Sequence, residues 1–169
     1  MRILNAIRCT IFAILAGFAA LFGFMDECCD GAVKMEYRRI GDKLLQELPV
    51  IKRAAERNNC RGDDFLILLA IRKAENGRPG REFGILNPDC LEQIAKRPQS
   101  SLDIQAGWAA ATVINNRRRW LDASRPGDFI EFLAERYCPP SIDSEGNENW
   151  KRNVRYFYAR FKGFKKENT

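Results

Sequence analysis

Phe65-Leu66-Ile67-Leu68-Leu69-Ala70-Ile71-Arg72-Lys73-Ala74-Glu75-Asn76-Gly77 is the stretch on which the reading of this chain turns. Seven consecutive apolar side chains leave no polar face at a helical period, so the segment predicts a central helix covered on all sides. Arg61-Gly62-Asp63-Asp64 ahead of it reads as a loop with an N-cap, and Gly77 as a C-terminal stop. One acid, Glu75, therefore stands at the exit of the most buried helix, just before a turn. It has an apolar flank and an open side there. Desolvation and the negative end of the helix dipole both disfavour the ionised form and raise its pKa. The plainer alternative is a surface Glu paired with Arg72 or Lys73.

Outward from this helix, residues 77–87 hold three glycines and Pro79, which predicts a turn or small β-hairpin folding back beside Glu75. Pro88 opens a short helix to Lys96, and Ser101 caps a longer one to Trp120. A turn at residues 122–128 precedes a helix over residues 129–137, which Pro139-Pro140 stops. A polar loop then leads to a last amphipathic helix over residues 149–161. On the N-terminal side, residues 32–47 read as one helix, and Pro49 suits the first turn of a second, through Asn58. The expected fold is mainly α, with one small hairpin.

Composition narrows the chemistry. The chain has 169 residues, 46% of them hydrophobic, enough for one domain to bury a core without metal or disulfides. It contains no histidine. Serine-hydrolase triads, Cys–His proteases and most zinc hydrolases need imidazole as base or ligand, so these classes are disfavoured. Acid–base work near neutral pH then falls to a carboxylate of raised pKa, or to Lys, Tyr or Cys. No cofactor or metal is implied.

The formal net charge is +6. After residue 25 the chain carries 26 basic and 22 acidic side chains, a mild excess that suits an anionic wall, a membrane surface or nucleic acid without choosing among them. The tracts Arg117-Arg118-Arg119 and Lys165-Lys166 read most simply as solvated faces. Arg2 and Arg8 precede an uncharged, mostly apolar run from Cys9 to Met25, ended by Asp26 and Glu27. Such a profile predicts a signal peptide or signal anchor over residues 1–25, export to the periplasm or cell envelope, and membrane association through residues 9–25. Five cysteines follow this run, so at most two bridges form; Cys28 or Cys29 would reach Cys60 or Cys138. Cys-x-x-Cys spacing is absent.

Lys73-Ala74-Glu75-Asn76-Gly77 followed by Gly80-Arg81-Glu82-Phe83-Gly84-Ile85 resembles the catalytic motif of the lysozyme-like superfamily, especially lytic transglycosylases and some phage lysozymes. Leu102-Asp103-Ile104-Gln105-Ala106-Gly107-Trp108-Ala109-Ala110 resembles the small-residue helix behind that superfamily's cleft. The segments at residues 129–139 and 147–154 are similar to its carboxy-terminal part. The resemblance spans residues 60–160 and implies a lysozyme-like catalytic domain over residues 61–162. An N-terminal helical region (26–60) precedes that domain and a basic tail (163–169) comes after it.

The resemblance implies cleavage of the β-1,4 bond between N-acetylmuramic acid and N-acetylglucosamine in peptidoglycan, with Glu75 as general acid. Glu82, Phe83, Gly84, Gln105 and Tyr137 are then the expected substrate contacts, Tyr137 matching the transglycosylase tyrosine that faces the catalytic Glu. A transglycosylase needs one carboxylate; a two-carboxylate hydrolase needs a second about 5 to 9 Å away. Glu82 is the first candidate, Asp89 and Asp143 remote ones. Asn115 and Asn153 are further hydrogen-bonding candidates, and Trp108, Trp120 and Trp150 either stack on sugars or fill the core. The expected partner is the peptidoglycan glycan strand, with no nucleic acid. The rival expectation is a non-catalytic helical envelope protein on the same scaffold.

Overall fold

The computed structural model describes residues 42–125 and 127–166. The chain divides into two units, residues 1–45 and residues 46–169, and the second contains Glu75 with the helices packed around it. The apolar run at residues 9–25, residues 32–41 of the first expected helix, and Cys28 and Cys29 lie outside the described residues, while residues 42–47 of that helix belong to the helix Asp42–Arg57. Among the described residues there are six α-helices and no strand. They are α1 (Asp42–Arg57), α2 (Asp63–Glu75), α3 (Pro88–Lys96), α4 (Ser101–Asp122), α5 (Phe129–Tyr137) and α6 (Ser144–Lys166), with a 3-10 turn at Pro98–Ser100 before α4. No described helix is long and apolar enough to cross a membrane.

The all-apolar stretch is the centre of the unit. Every residue from Leu66 to Arg72 is buried. α6 packs on α2 more extensively than any other helix does, and α4 packs beside it. Both run antiparallel to α2. At its start, Asp63 accepts hydrogen bonds from Tyr158 Oη (3.0 Å) and Lys162 Nζ (2.9 Å) of α6, while Asp64 takes the Arg117 guanidinium of α4 at 2.7 Å. At its end, Glu75 meets Trp150 of α6.

Neither aspartate caps α2 as the sequence suggests. Gly62 holds the N-cap position with no side-chain hydrogen bond, because both carboxylates are drawn to partners on other helices. Arg117 is likewise no solvated tract residue. Its guanidinium is held by Asp64 and lies 3.4 Å from the Phe129 ring centroid.

Four further boundaries differ from expectation. Pro49 lies inside α1 and does not begin a helix. It occupies an exposed position, and burial of Ile51, Ala54 and Ala55 carries the helix past the missing N–H. α2 ends one residue earlier than a glycine stop implies: Asn76 takes the left-handed cap at φ 42°, its N–H bonded to the Arg72 carbonyl. Ser101 begins α4 but does not cap it, since its hydroxyl serves Glu82. α6 starts at Ser144, where the Asp143 carboxylate accepts the Gly146 N–H at 2.7 Å, and runs to Lys166, into the expected basic tail. By contrast, α3 and α5 have the expected limits. Asn87 and Asp128 each accept two backbone N–H bonds at their N-termini.

Cys60, Cys90 and Cys138 form no disulfide among the described residues, and the Cys28 and Cys29 ends of the bridges considered lie outside them. Cys60 is buried, and burial together with the Asp64 charge pushes its pKa up to about 12.

Candidate active site

The segment after α2 is not a hairpin. Residues 76–87 form a loop with turns at Arg78–Arg81 and Arg81–Gly84, closed by N–H···O bonds of 2.9 and 3.2 Å. Its backbone is satisfied by one side chain in place of a partner strand. Gln105 of α4, fully buried, accepts from the N–H groups of Phe83 and Ile85 (both 3.2 Å). It donates to the carbonyls of Ile85 (2.9 Å) and Gly80 (3.3 Å). A primary amide has both a donor and an acceptor end, so it can mimic a strand edge over one short stretch. Phe83 is fully buried beneath the loop.

Two glycines make this path passable. A Cβ on Gly77 would overlap the Arg81 carbonyl oxygen. Gly84 has φ +69°, and a Cβ there would lie 2.5 Å from Glu75 Oε2. The loop thus comes down directly on the carboxyl group.

Glu75 is held from two sides. Oε2 rests against Gly84, and Oε1 accepts one hydrogen bond, from Trp150 Nε1 at 2.9 Å. The carboxyl is largely desolvated, which raises its pKa above the usual 4.5; the Trp150 bond opposes that rise without cancelling it. The surface ion pair with Arg72 or Lys73 is not formed. Arg72 is buried and turned the other way, bidentate to Glu47 at 2.7 Å and bonded to the Glu82 carbonyl at 3.2 Å.

Tyr137 completes the cluster. Its ring stacks on Trp150 with centroids 5.1 Å apart. Its hydroxyl is buried and has no hydrogen-bond partner. Burial and the nearby Glu75 and Cys90 charges push its pKa well up, so it stays a neutral phenol. The end of α5 that carries Tyr137 is fixed by the buried Asn147 of α6, which donates to the carbonyls of Ala134 (3.3 Å) and Cys138 (2.6 Å). Trp150 lies one helical turn after Asn147, so one face of α6 positions both rings.

Beside this cluster is a cleft of about 460 Å³ between the 84–87 loop, α4 and α5. Gly84 and Tyr137 belong to its wall, with Trp108, Asn116, Arg119 and Arg136 among the others. Of the expected substrate contacts, Gly84 and Tyr137 therefore lie at the junction of carboxyl and cleft. Glu82, Phe83 and Gln105 do not: all three are buried, and their place in this fold is to support the loop. Glu82 accepts from Ser101 Oγ at 2.6 Å through Oε1, while Oε2 has no partner. Asp143 caps α6; burial, then its charge and that of Glu75, raise the pKa of the Cys138 thiol. Among the tryptophans, Trp120 packs edge-on against Phe129 and Trp108 lines the cleft.

Sequence reading does not single out Trp150 as the donor to Glu75, because the two are 75 positions apart. Nor does it mark Arg119 and Arg136 as cleft residues. The helical spacing of Trp108, Thr112, Asn116 and Arg119 puts these four on one stripe of α4, which is a signal visible in the sequence. Among the described residues, no group of three His, Cys, Asp or Glu is placed to hold a metal ion. No family model, curated protein or solved structure matches this chain.

Proposed function

We propose that the protein cleaves the β-1,4 bond between N-acetylmuramic acid and N-acetylglucosamine in peptidoglycan, with Glu75 as its acid and base. The observation that carries this reading is the Glu75 carboxyl itself. It is desolvated, has a raised pKa and a single neutral donor, and lies beside a cleft whose wall includes Gly84 and Tyr137. A carboxyl whose pKa is raised by burial can donate its proton to a glycosidic oxygen as the C1–O bond breaks. The resemblance at residues 73–85 supports the choice of glycan.

The second half of the reaction returns a proton to Glu75. In hydrolysis it comes from water; in transglycosylation it comes from the muramoyl 6-hydroxyl, which closes onto C1 to give a 1,6-anhydro sugar. Glu82 is buried under the loop, Asp143 is engaged as a helix cap, and Asp89 stands exposed in the first turn of α3 outside the cleft lining, so none of the three is placed as the second carboxylate. One-carboxylate transglycosylation is the reading these placements favour. Its expected setting is the cell envelope, with residues 9–25 as the export or anchoring segment.

The test is digestion of purified sacculi by the full chain, with mass spectrometry of the products. Anhydro-muropeptides are expected, with release falling at least ~100-fold in Glu75→Gln. Reducing ends would replace transglycosylase by hydrolase. Sacculi left intact by the unsubstituted chain would leave a non-catalytic envelope protein, and cleavage equal in Glu75→Gln would take the acid role from Glu75.

A further inference from the structure

The cleft beside Glu75 has an uneven chemistry. Its lining includes two arginines, Arg119 from α4 and Arg136 from α5, and no acidic side chain. Neither arginine makes an ion pair with any described residue, whereas Arg117, two positions before Arg119, is held by Asp64. Two residues of the lining also carry buried polar atoms without partners. Asn116 is 2% exposed; its Nδ2 donates to the Thr112 carbonyl at 2.8 Å, but its Oδ1 accepts nothing. Tyr137 Oη is the other.

Buried polar atoms are almost always satisfied, and an unpaired one costs free energy that a bound group can recover. Two residues of one cleft's lining carry such atoms, beside two guanidiniums with no ion pair among the described residues, and together they set the chemistry of a complementary ligand. Asn116 Oδ1 calls for a donor, a hydroxyl or amide N–H; Tyr137 can give or take a hydrogen bond; the arginines call for an anion. Trp108, half-buried on the same stripe of α4, offers the apolar ring that a sugar face covers.

We propose that this cleft is a subsite for a sugar unit bearing a carboxylate, with Arg119 and Arg136 holding the carboxylate and Asn116 accepting from a hydroxyl or acetamido N–H. This rests on the glycan reading of Glu75 and deepens it, because it makes the enzyme select acidic over neutral glycans. In peptidoglycan the carboxylate has two sources, the lactyl group of a peptide-free muramoyl unit and the stem peptide.

The experiment measures binding of three tetrasaccharides by calorimetry to the full chain carrying Glu75→Gln. The probes are neutral chitotetraose, a peptide-free tetrasaccharide of alternating N-acetylglucosamine and N-acetylmuramic acid, and the same glycan with its stem peptides. At least one acidic probe is expected to bind ~10- to 100-fold tighter than chitotetraose, and its identity assigns the carboxylate. Adding Arg119→Ala and Arg136→Ala should abolish that preference. Arg118→Ala, an exposed arginine outside the cleft, should preserve it. The Asn116 side-chain amide should also shift in nitrogen NMR spectra on addition of the preferred probe.

Equal affinity for acidic and neutral probes, no binding of any probe, or a preference that survives loss of both arginines would overturn the subsite. The two proposals fail separately. Sacculus cleavage that depends on Glu75 without an arginine-dependent preference sinks the subsite alone. A preference with no Glu75-dependent cleavage sinks the catalytic reading alone.

Discussion

The carboxyl group of Glu75 rests on the bare Cα of Gly84, so close that one added methyl group would lie 2.5 Å from Oε2. Helix end and loop are thereby packed together, with no room for a side chain at residue 84 while the Glu75 carboxyl is in place.

Gly84→Ala meets two penalties, a positive φ and the overlap with Glu75. A destabilisation of ~2–4 kcal/mol is expected, with the φ alone costing ~1–2. Because the overlap is with a side chain, pairing Gly84→Ala with Glu75→Ala should recover part of the loss, leaving a coupling of at least ~0.5 kcal/mol in a double-mutant cycle. Gly77→Ala should be worse than either and beyond that rescue, since its Cβ would overlap a backbone carbonyl. Urea denaturation of the four variants checks the order; strict additivity of the Gly84 and Glu75 changes would refute the contact.

The raised pKa of Glu75 makes fold stability depend on pH in a stated direction. A carboxyl with a higher pKa folded than unfolded binds more protons in the folded state. The destabilisation from ionising it is therefore absent below the ordinary value of 4.5 and grows as pH rises through the folded value. Glu75→Gln keeps an oxygen for the Trp150 N–H but cannot ionise. Its melting temperature should exceed that of the unsubstituted protein at pH 7, and the difference should vanish toward pH 4. A constant difference across that range would mean that the carboxyl is not desolvated.

Trp150 acts on the same carboxyl with the opposite sign, since its Nε1–H stabilises the ionised form. Trp150→Phe retains a six-membered ring against Tyr137 and removes the donor with the five-membered ring that carries it. The Glu75 pKa should rise further, moving the alkaline limb of the activity profile to higher pH, with a stability cost of ~1–3 kcal/mol for the unpaired oxygen. Carbon NMR titration of the Glu75 carboxyl reads the shift directly, and a fall in pKa would contradict the assignment of the bond.

The helical skeleton is legible in the sequence where local chemistry decides. Asn87-Pro88 and Asp128 are N-terminal signals that need no tertiary context, and α3 and α5 begin where those residues place them. Glu75 stands out because seven apolar residues precede it. Sequence pattern fails where a distant residue overrides a local preference. Asp63 and Asp64 look like caps but bond α6 and α4; Pro49 looks like a start but is carried through by burial of Ile51, Ala54 and Ala55. The glycines at residues 77, 80 and 84 correctly announce a tight return of the chain. They cannot reveal that its partner is the amide of Gln105, 20 or more residues on, and not a second strand.

That amide supports the most consequential structural prediction. Gln105→Leu preserves bulk at a fully buried position but leaves the N–H groups of Phe83 and Ile85 and the carbonyl of Ile85 without their partner. Each buried group so orphaned costs ~1–3 kcal/mol, so a loss of ~3 kcal/mol or more is expected unless the loop opens to water. Opening is the cheaper outcome for a segment with no strand ladder, and it would lift Gly84 off Glu75. Hydrogen exchange at residues 83 and 85 should therefore accelerate far more than in the centre of α2, and the Glu75 pKa should fall back toward 4.5 as its carboxyl is rehydrated. Gln105→Glu separates the two ends of the amide when ionised, because the carboxylate retains the acceptor for both N–H groups and loses the donor to the Ile85 and Gly80 carbonyls. Intermediate exchange rates are expected from it. If both variants exchange as slowly as the parent, the clamp is not what holds the loop on the site.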